Sequence, residues 1–246
     1  MKAYFLAAGS GGALVELRDT ATPEPKPGEI LVRVRAASLN RGELLRGKIG
    51  DAAKPGGGEC AGEVVKAGEG VTGVAAIQIG KALGARVIGT SGSPDKLARL
   101  EKIGLDVGIL TRVGDFNDAV MKATDGQGVN LVVNNVGGSV FAECIRSLAF
   151  GGRLATVGHM DHVLSATIDL EALHRRRLTV FGVSNQLRSA AQRAETVRAF
   201  VRDILPYFED GRLRPLIDRV FGFADLPAAI KFMESDAQVG KIVVRM

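Results

Sequence analysis

From Val74 onward, short stretches with apolar residues at helical spacing alternate with short continuous apolar runs, which is what a parallel sheet with crossover helices requires. VAAIQIGKALGA reads as a helix that stops at Gly84, and ARVIGTS as a strand buried on both faces. DKLARLEKIG (helix), VGIL (strand), FNDAVMKATDG (helix), VNLVVNNVGG (strand), SVFAECIRSLAFGG (helix) and RLATVGHM (strand) continue the series. LTVFGVS adds a strand, RSAAQRAETVRAFVRDILPYFEDG one long helix, and LIDRVFGF, DLPAAIKFMES and GKIVVRM a closing β-α-β unit. Before about residue 66 the pattern differs: LVRVRAAS alternates and GECAGEVVKAG is bounded by glycines, so this part reads as a small β module.

At 246 residues with 46% apolar content the chain has ample material for a core. No apolar run approaches the roughly 20 residues of a membrane helix, and MKAYFLAAGSGG lacks the form of a signal peptide, so a soluble cytoplasmic protein with no membrane partner is expected. Cys60 and Cys144 stand far apart, without a zinc-ligand spacing, and read as buried thiols. The net charge of +5 is spread along the chain, with only His174 to Arg177 dense, and does not point to nucleic acid.

Three strands end in small or polar residues: Thr90 to Ser93, Asn134 to Gly138, and Val157 to His159. Ligands of open α/β sheets bind beyond the carboxyl ends of the strands, so these tips should line one crevice. The plainer alternative is that βα loops are simply rich in Gly and Ser; three such tips in succession favour the crevice.

The stretches EILVRVRAASLNRGELLRG, PGGGECAGEVVKAGEGV, AAIQIGKALGARVIGTSGSPDKLARLEKIG, GQGVNLVVNNVGG, GGRLATVGHM, RRLTVFGVSNQ and QVGKIVVRM resemble, in order, the medium-chain dehydrogenase/reductases. Within them the chain is most similar to the zinc-free quinone oxidoreductases. The resemblance implies an α/β fold: a Rossmann-type doubly wound parallel sheet over residues 67–215, with a reduced GroES-like β module over 1–66 plus about 216–246. Zinc-dependent relatives carry Cys near Asn40 and His before Glu59; here Gly58 stands at the His position, so no metal is implied. The family also places a long segment between GEGVTG and AAIQIGKALGA, containing the first Rossmann strand and its glycine-rich turn, and here Val74 alone separates them. Two readings stand. In one, Glu63 to Ala67 serves as the first strand and Gly68, Gly70 and Gly73 form a rebuilt G-x-G-x-x-G phosphate turn. In the other, GEGVTG is only the barrel's own turn and the intervening segment is missing.

NAD-preferring sites end the second strand in Asp or Glu, which binds the ribose 2′-hydroxyl. Here Ser91 and Ser93 are donors suited to a 2′-phosphate, and Lys96 and Arg99 supply positive charge, so NADPH is the expected cofactor. By resemblance Thr111 replaces an adenine-stacking Tyr; Asn135, Val136, Gly137, Val157 and Gly158 flank the ribose and nicotinamide; and Phe181, Val183 and Ser184 close the nicotinamide side. Asn40 matches a position near the nicotinamide and is the catalytic candidate, suited to hydrogen-bond a substrate carbonyl or the carboxamide, although Asn is also a commonplace turn residue. His159 and His162 read equally as wet loop residues or substrate contacts. The resemblance implies hydride transfer to a quinone or an α,β-unsaturated carbonyl, and a homodimer paired through LTVFGVS. The competing expectation is a non-catalytic shortened paralogue that keeps the fold or the dimer interface.

Overall fold

The computed structural model describes residues 1–10, 12–22, 24, 34, 36–39, 52–55, 59–61, 72–112, 114–184, 187–235 and 237–246. The chain divides into two compact units, Met1–Val71 with Pro215–Met246, and Thr72–Arg214.

The first unit is built on antiparallel pairs, apart from one parallel pair between its last two strands. Strands β1 (Lys2–Gly9) and β2 (Gly12–Asp19) form a hairpin in register from Lys2 opposite Asp19 to Gly9 opposite Gly12. Strands β3 (Ala36–Ser38), β4 (Lys54–Pro55) and β5 (Glu59–Ala61) follow; β4 extends the hairpin sheet, and β5 pairs antiparallel with β3.

The second unit opens with α1 (Thr72–Ala82), which ends in a Schellman turn: Gly84 takes φ 80°, and Ala85 donates to Gly80 O at 2.8 Å. Then come β6 (Ile88–Ser91), α2 (Pro94–Glu101), β7 (Val107–Leu110), α3 (Asn117–Ala123) and β8 (Val129–Asn134). A 3₁₀ turn (Gly138–Val140) leads into α4 (Phe141–Arg146), followed by β9 (Leu148–Thr156), α5 (Leu170–Arg175) and β10 (Thr179–Gly182). Helices α6 (Ala190–Asp203) and α7 (Leu205–Glu209) complete the unit. The chain then returns to the first unit through β11 (Ile217–Gly222), α8 (Leu226–Glu234) and β12 (Lys241–Arg245), in sheet order β11-β12-β3-β5. Leu226, Ala229, Ile230 and Met233 recur at helical spacing and bury one face of α8 against Ile242, Val244 and Leu39.

All pairs of the second unit are parallel, in the orders β6-β7 and β10-β9-β8. A doubly wound sheet has the order 3-2-1-4-5-6. The two ladders are its halves 3-2 and 4-5-6, so the place between β6 and β8 is that of strand one. Among the described residues no ladder joins them, and the segment Glu63 to Ala67 lies outside those residues. One core nevertheless serves both: Ile109, Phe116, Val120, Cys144, Ile145, Leu148 and Leu154 are buried together, with Ile88 and Val132 against them. Burial pushes the Cys144 thiol up to about 12, so it is an inert core residue as expected; the Cys60 side chain is not among the described ones.

Three sequence expectations are corrected. Strand β6 is not buried on both faces: Thr90 is exposed and its neighbours half-buried, because among the described residues β6 pairs only with β7. The helix expected over SVFAECIRSLAFGG stops at Arg146, and Leu148 to Phe150 already belong to β9. The Arg176 guanidinium donates to Ile145 O, Arg146 O and Leu148 O at 3.1, 3.0 and 2.9 Å, occupying the carbonyls where the helix ends. The expected long helix breaks at Ile204, where Pro206 in the first turn of α7 has no amide to continue the ladder. Among the described residues no helix is long and apolar enough to cross a membrane.

Candidate functional site

Strands β8, β9 and β10 end level, with Asn134 opposite Thr156 and Thr156 opposite Gly182. Their tips are tied by backbone bonds: Val157 N donates to Asn134 O at 2.8 Å and Val183 N to Thr156 O at 2.9 Å. The expected nicotinamide-side residues therefore sit on three neighbouring loops of one unit.

Asn134, at the end of β8, turns inward and is buried. Its Oδ1 accepts from Val136 N and Gly137 N, both at 3.0 Å, and its Nδ2 donates to Gly137 O at 2.9 Å. The side chain thereby shapes the turn that carries Asn135, Val136 and Gly137. Gly137 adopts φ 133°, a region that L side chains rarely enter, and a Cβ there would overlap the Asp161 carboxylate. Asp161 comes from the loop after β9. Its amide donates to Val136 O at 2.9 Å, Oδ2 accepts Ser139 N at 2.8 Å and Oδ1 accepts Val163 N at 2.9 Å. Desolvation pushes this carboxyl up, but the bonds from Ser139, side chain and amide, and from Val163 outweigh it and hold the group below its ordinary value. Val157 and Gly158 are half-buried beside this turn. Val136, Phe181 and Val183 are 39%, 40% and 41% exposed, and Ser184 is exposed on the β10 tip.

The β6 tip is built differently. Ser91 Oγ accepts from Ser93 N at 3.2 Å, and Ser93 Oγ caps α2 by accepting from Lys96 N at 3.4 Å. Each hydroxyl keeps its own proton to donate. Lys96 is half-buried in the first turn of α2. Sequence reasoning missed Arg112: a Cβ on Gly92 would lie 2.8 Å from Arg112 Cγ, so this side chain runs across the β6 tip from the end of β7. Asp115 is engaged by the Thr111 hydroxyl, and Asp95 sits exposed in the first turn of α2. The loop after β7 also reaches the β8 tip, since a Cβ on Gly114 would be 3.1 Å from Ser139 O.

These features fit a phosphorylated dinucleotide: paired hydroxyl donors and Arg112 at one strand tip with Lys96 in the next helical turn, and ordered backbone at the other three tips, with exposed apolar side chains after β8 and β10. Asn40, Gly68 and Gly70 lie outside the described residues, and Gly73 is the second residue of α1. Among the described residues no three His, Cys, Asp or Glu side chains are grouped to hold a metal.

Comparison with known proteins agrees with this layout. The family described as zinc-binding dehydrogenase matches residues 71–201, and the alcohol dehydrogenase GroES-like domain matches residues 26–114. The chain is 31% identical over 181 residues to a phenolphthiocerol/phthiocerol polyketide synthase chain of Mycobacterium tuberculosis, which is 74% of this chain and 8% of that one. It is 27% identical over 221 residues to the acryloyl-coenzyme A reductase of Sulfurisphaera tokodaii, covering 87% of this chain and 61% of the reductase. Among solved structures, the quinone oxidoreductase of Thermus thermophilus, known also in complex with NADPH, aligns with a TM-score of 0.79 at 25% identity, over 100% of both chains. The chain thus spans less than two thirds of the length of either curated relative. Strand order, tip chemistry and both family matches place it in the medium-chain dehydrogenase/reductase superfamily, with a Rossmann-type nucleotide domain and a GroES-like domain.

Proposed function

We propose that this chain is a zinc-independent, cytoplasmic reductase that uses NADPH to reduce a quinone or an α,β-unsaturated carbonyl. The observation that carries the reading is the β6 tip. The two serine hydroxyls and Arg112 meet where a carboxylate would repel a 2′-phosphate, the strand ends in Ser-Gly-Ser, and Lys96 follows in the first turn of α2. When bound, NADPH supplies the hydride. The protein's part is orientation: Ser91, Ser93 and Lys96 hold the adenosine end, while Asn135, Val136, Gly137, Val157, Gly158, Phe181, Val183 and Ser184 hold the nicotinamide end. Asn40 remains the proposed hydrogen-bond donor to the substrate carbonyl. The acryloyl-coenzyme A reductase and the quinone oxidoreductase among its relatives support these acceptor classes.

Fluorescence titration of the purified chain tests the cofactor, and a saturable NADPH signal below millimolar concentration is expected. Lys96→Ala should weaken NADPH about tenfold or more, since a charge-assisted hydrogen bond is worth about 1.5–3 kcal/mol, and leave NADH nearly unchanged. Equal losses for the two cofactors sink the 2′-phosphate assignment.

One observation favours the second reading, a non-catalytic shortened paralogue: among the described residues the β6 and β8 edges flank a place without a ladder. NADPH binding with no consumption in the presence of a small quinone selects that reading. A homodimer is also proposed, through β10, whose four residues are all exposed at the edge of their ladder. Sedimentation should give twice the chain mass, and Val180→Lys should return a single chain; an unchanged Val180→Lys dimer rules out this edge.

A further inference from the structure

We propose that Asp161 is a positioning residue for the nicotinamide end of the cofactor site, a clamp that fixes the loop after β8 to the loop after β9. The inference rests on the NADPH reading and goes beyond it, because Asp161 itself belongs to neither expected cofactor-binding loop segment.

Four consecutive amides after β8 each have a partner: Val136 N and Gly137 N on Asn134 Oδ1, Gly138 N on Val163 O, and Ser139 N on Asp161 Oδ2. Two carbonyls are also engaged, Gly137 O by Asn134 Nδ2 and Val136 O by the Asp161 amide. Asn134 closes this turn from within β8. Asp161 closes it from outside, across 22 residues of sequence, and its second oxygen holds Val163 N at 2.9 Å, which keeps Val163 O in place for Gly138. A loop ordered to this degree has given up considerable conformational freedom. Yet it leaves the Val136 side chain 39% exposed, so the order does not serve burial of that residue. Order at an exposed apolar position is what a ligand platform requires, since a surface fixed beforehand loses less entropy when it binds. The overlap that any Cβ on Gly137 would make with the Asp161 carboxylate shows how closely the two loops are pressed.

The test titrates the full chain and its Asp161 variants with two ligands, NADPH and 2′,5′-ADP, the latter carrying the adenosine end without the nicotinamide. Asp161→Ala should raise the Kd for NADPH about tenfold, while the Kd for 2′,5′-ADP stays within about twofold of the wild-type value. Asp161→Asn keeps one accepting oxygen and turns an NH₂ toward the other amide, so it should show the same split with a smaller loss. It is nearly isosteric and decides the matter if the alanine variant does not fold. NADPH binding unchanged in both variants, or equal losses for both ligands, overturns the clamp. A wild-type chain that binds neither ligand overturns the NADPH reading itself and the clamp with it, an outcome distinct from a wild type that binds and variants that bind equally well.

Discussion

Gly137→Ala is expected to be among the most damaging single changes in the nucleotide unit. Two costs combine. The backbone at φ 133° is strained for any L side chain, worth about 1–3 kcal/mol. The added Cβ must also displace the Asp161 carboxylate, which loses bonds to Ser139 and Val163 worth about 1.5–3 kcal/mol each when charge-assisted. A loss of roughly 3 kcal/mol or more should follow, lowering the melting temperature by several degrees at the size of this chain. The two costs are separable. In an Asp161→Ala background the overlap is gone while the strained backbone remains, so Gly137→Ala should cost less there than in the wild type, and a double-mutant cycle reads the difference as a coupling. Strict additivity would show that the loops do not bear on one another.

The second large effect is expected at Arg176. Its guanidinium meets three carbonyls at the end of α4 and the start of β9, where the negative end of the helix favours a cation. Arg176→Ala leaves these carbonyls to water or to nothing, and its own backbone carbonyl, which accepts Gly151 N at 2.7 Å, loses its anchor. A destabilisation of about 2–4 kcal/mol is expected from thermal or urea melts. Arg176→Lys should recover only a small part, because one ammonium cannot span three carbonyls as a planar fork does. Full rescue by lysine would show that charge alone matters there.

Much of the nucleotide unit was legible in the sequence because its information is local. Apolar periodicity marks α1, β6, α2 and β7 within a few residues of their ends, and the small and polar residues at Ser91 to Ser93 and Asn134 to Gly138 mark the tips. What was not legible depends on residues distant in sequence. The end of α4 at Arg146 is set by Arg176, 30 residues on, so SVFAECIRSLAFGG reads as unbroken helix when taken alone. Arg112 reaches Gly92 only because β6 and β7 pair in parallel, with Ser91 opposite Leu110. Nothing in GHMDHV sets Asp161 apart, and its two accepted amides appear only in three dimensions. The break at Ile204 is a different case: Pro206 was a visible signal inside an otherwise helical run.

The chain leaves the first unit at residue 71 and returns at Pro215, and this has a consequence for the order of events on the ribosome. Ser38 finds its strand partner in Val243, more than two hundred residues later, and the core under α8 lacks Leu226, Ile230 and Met233 until the whole nucleotide unit has been made. The nucleotide unit is continuous and is made whole before the first unit has all its residues. At a translation rate of about 5–20 residues per second, β3 waits on the order of ten seconds or more for β12. During that interval β3 presents an unfinished sheet edge, and Pro215–Met246 act as the keystone that ends its exposure to other nascent chains.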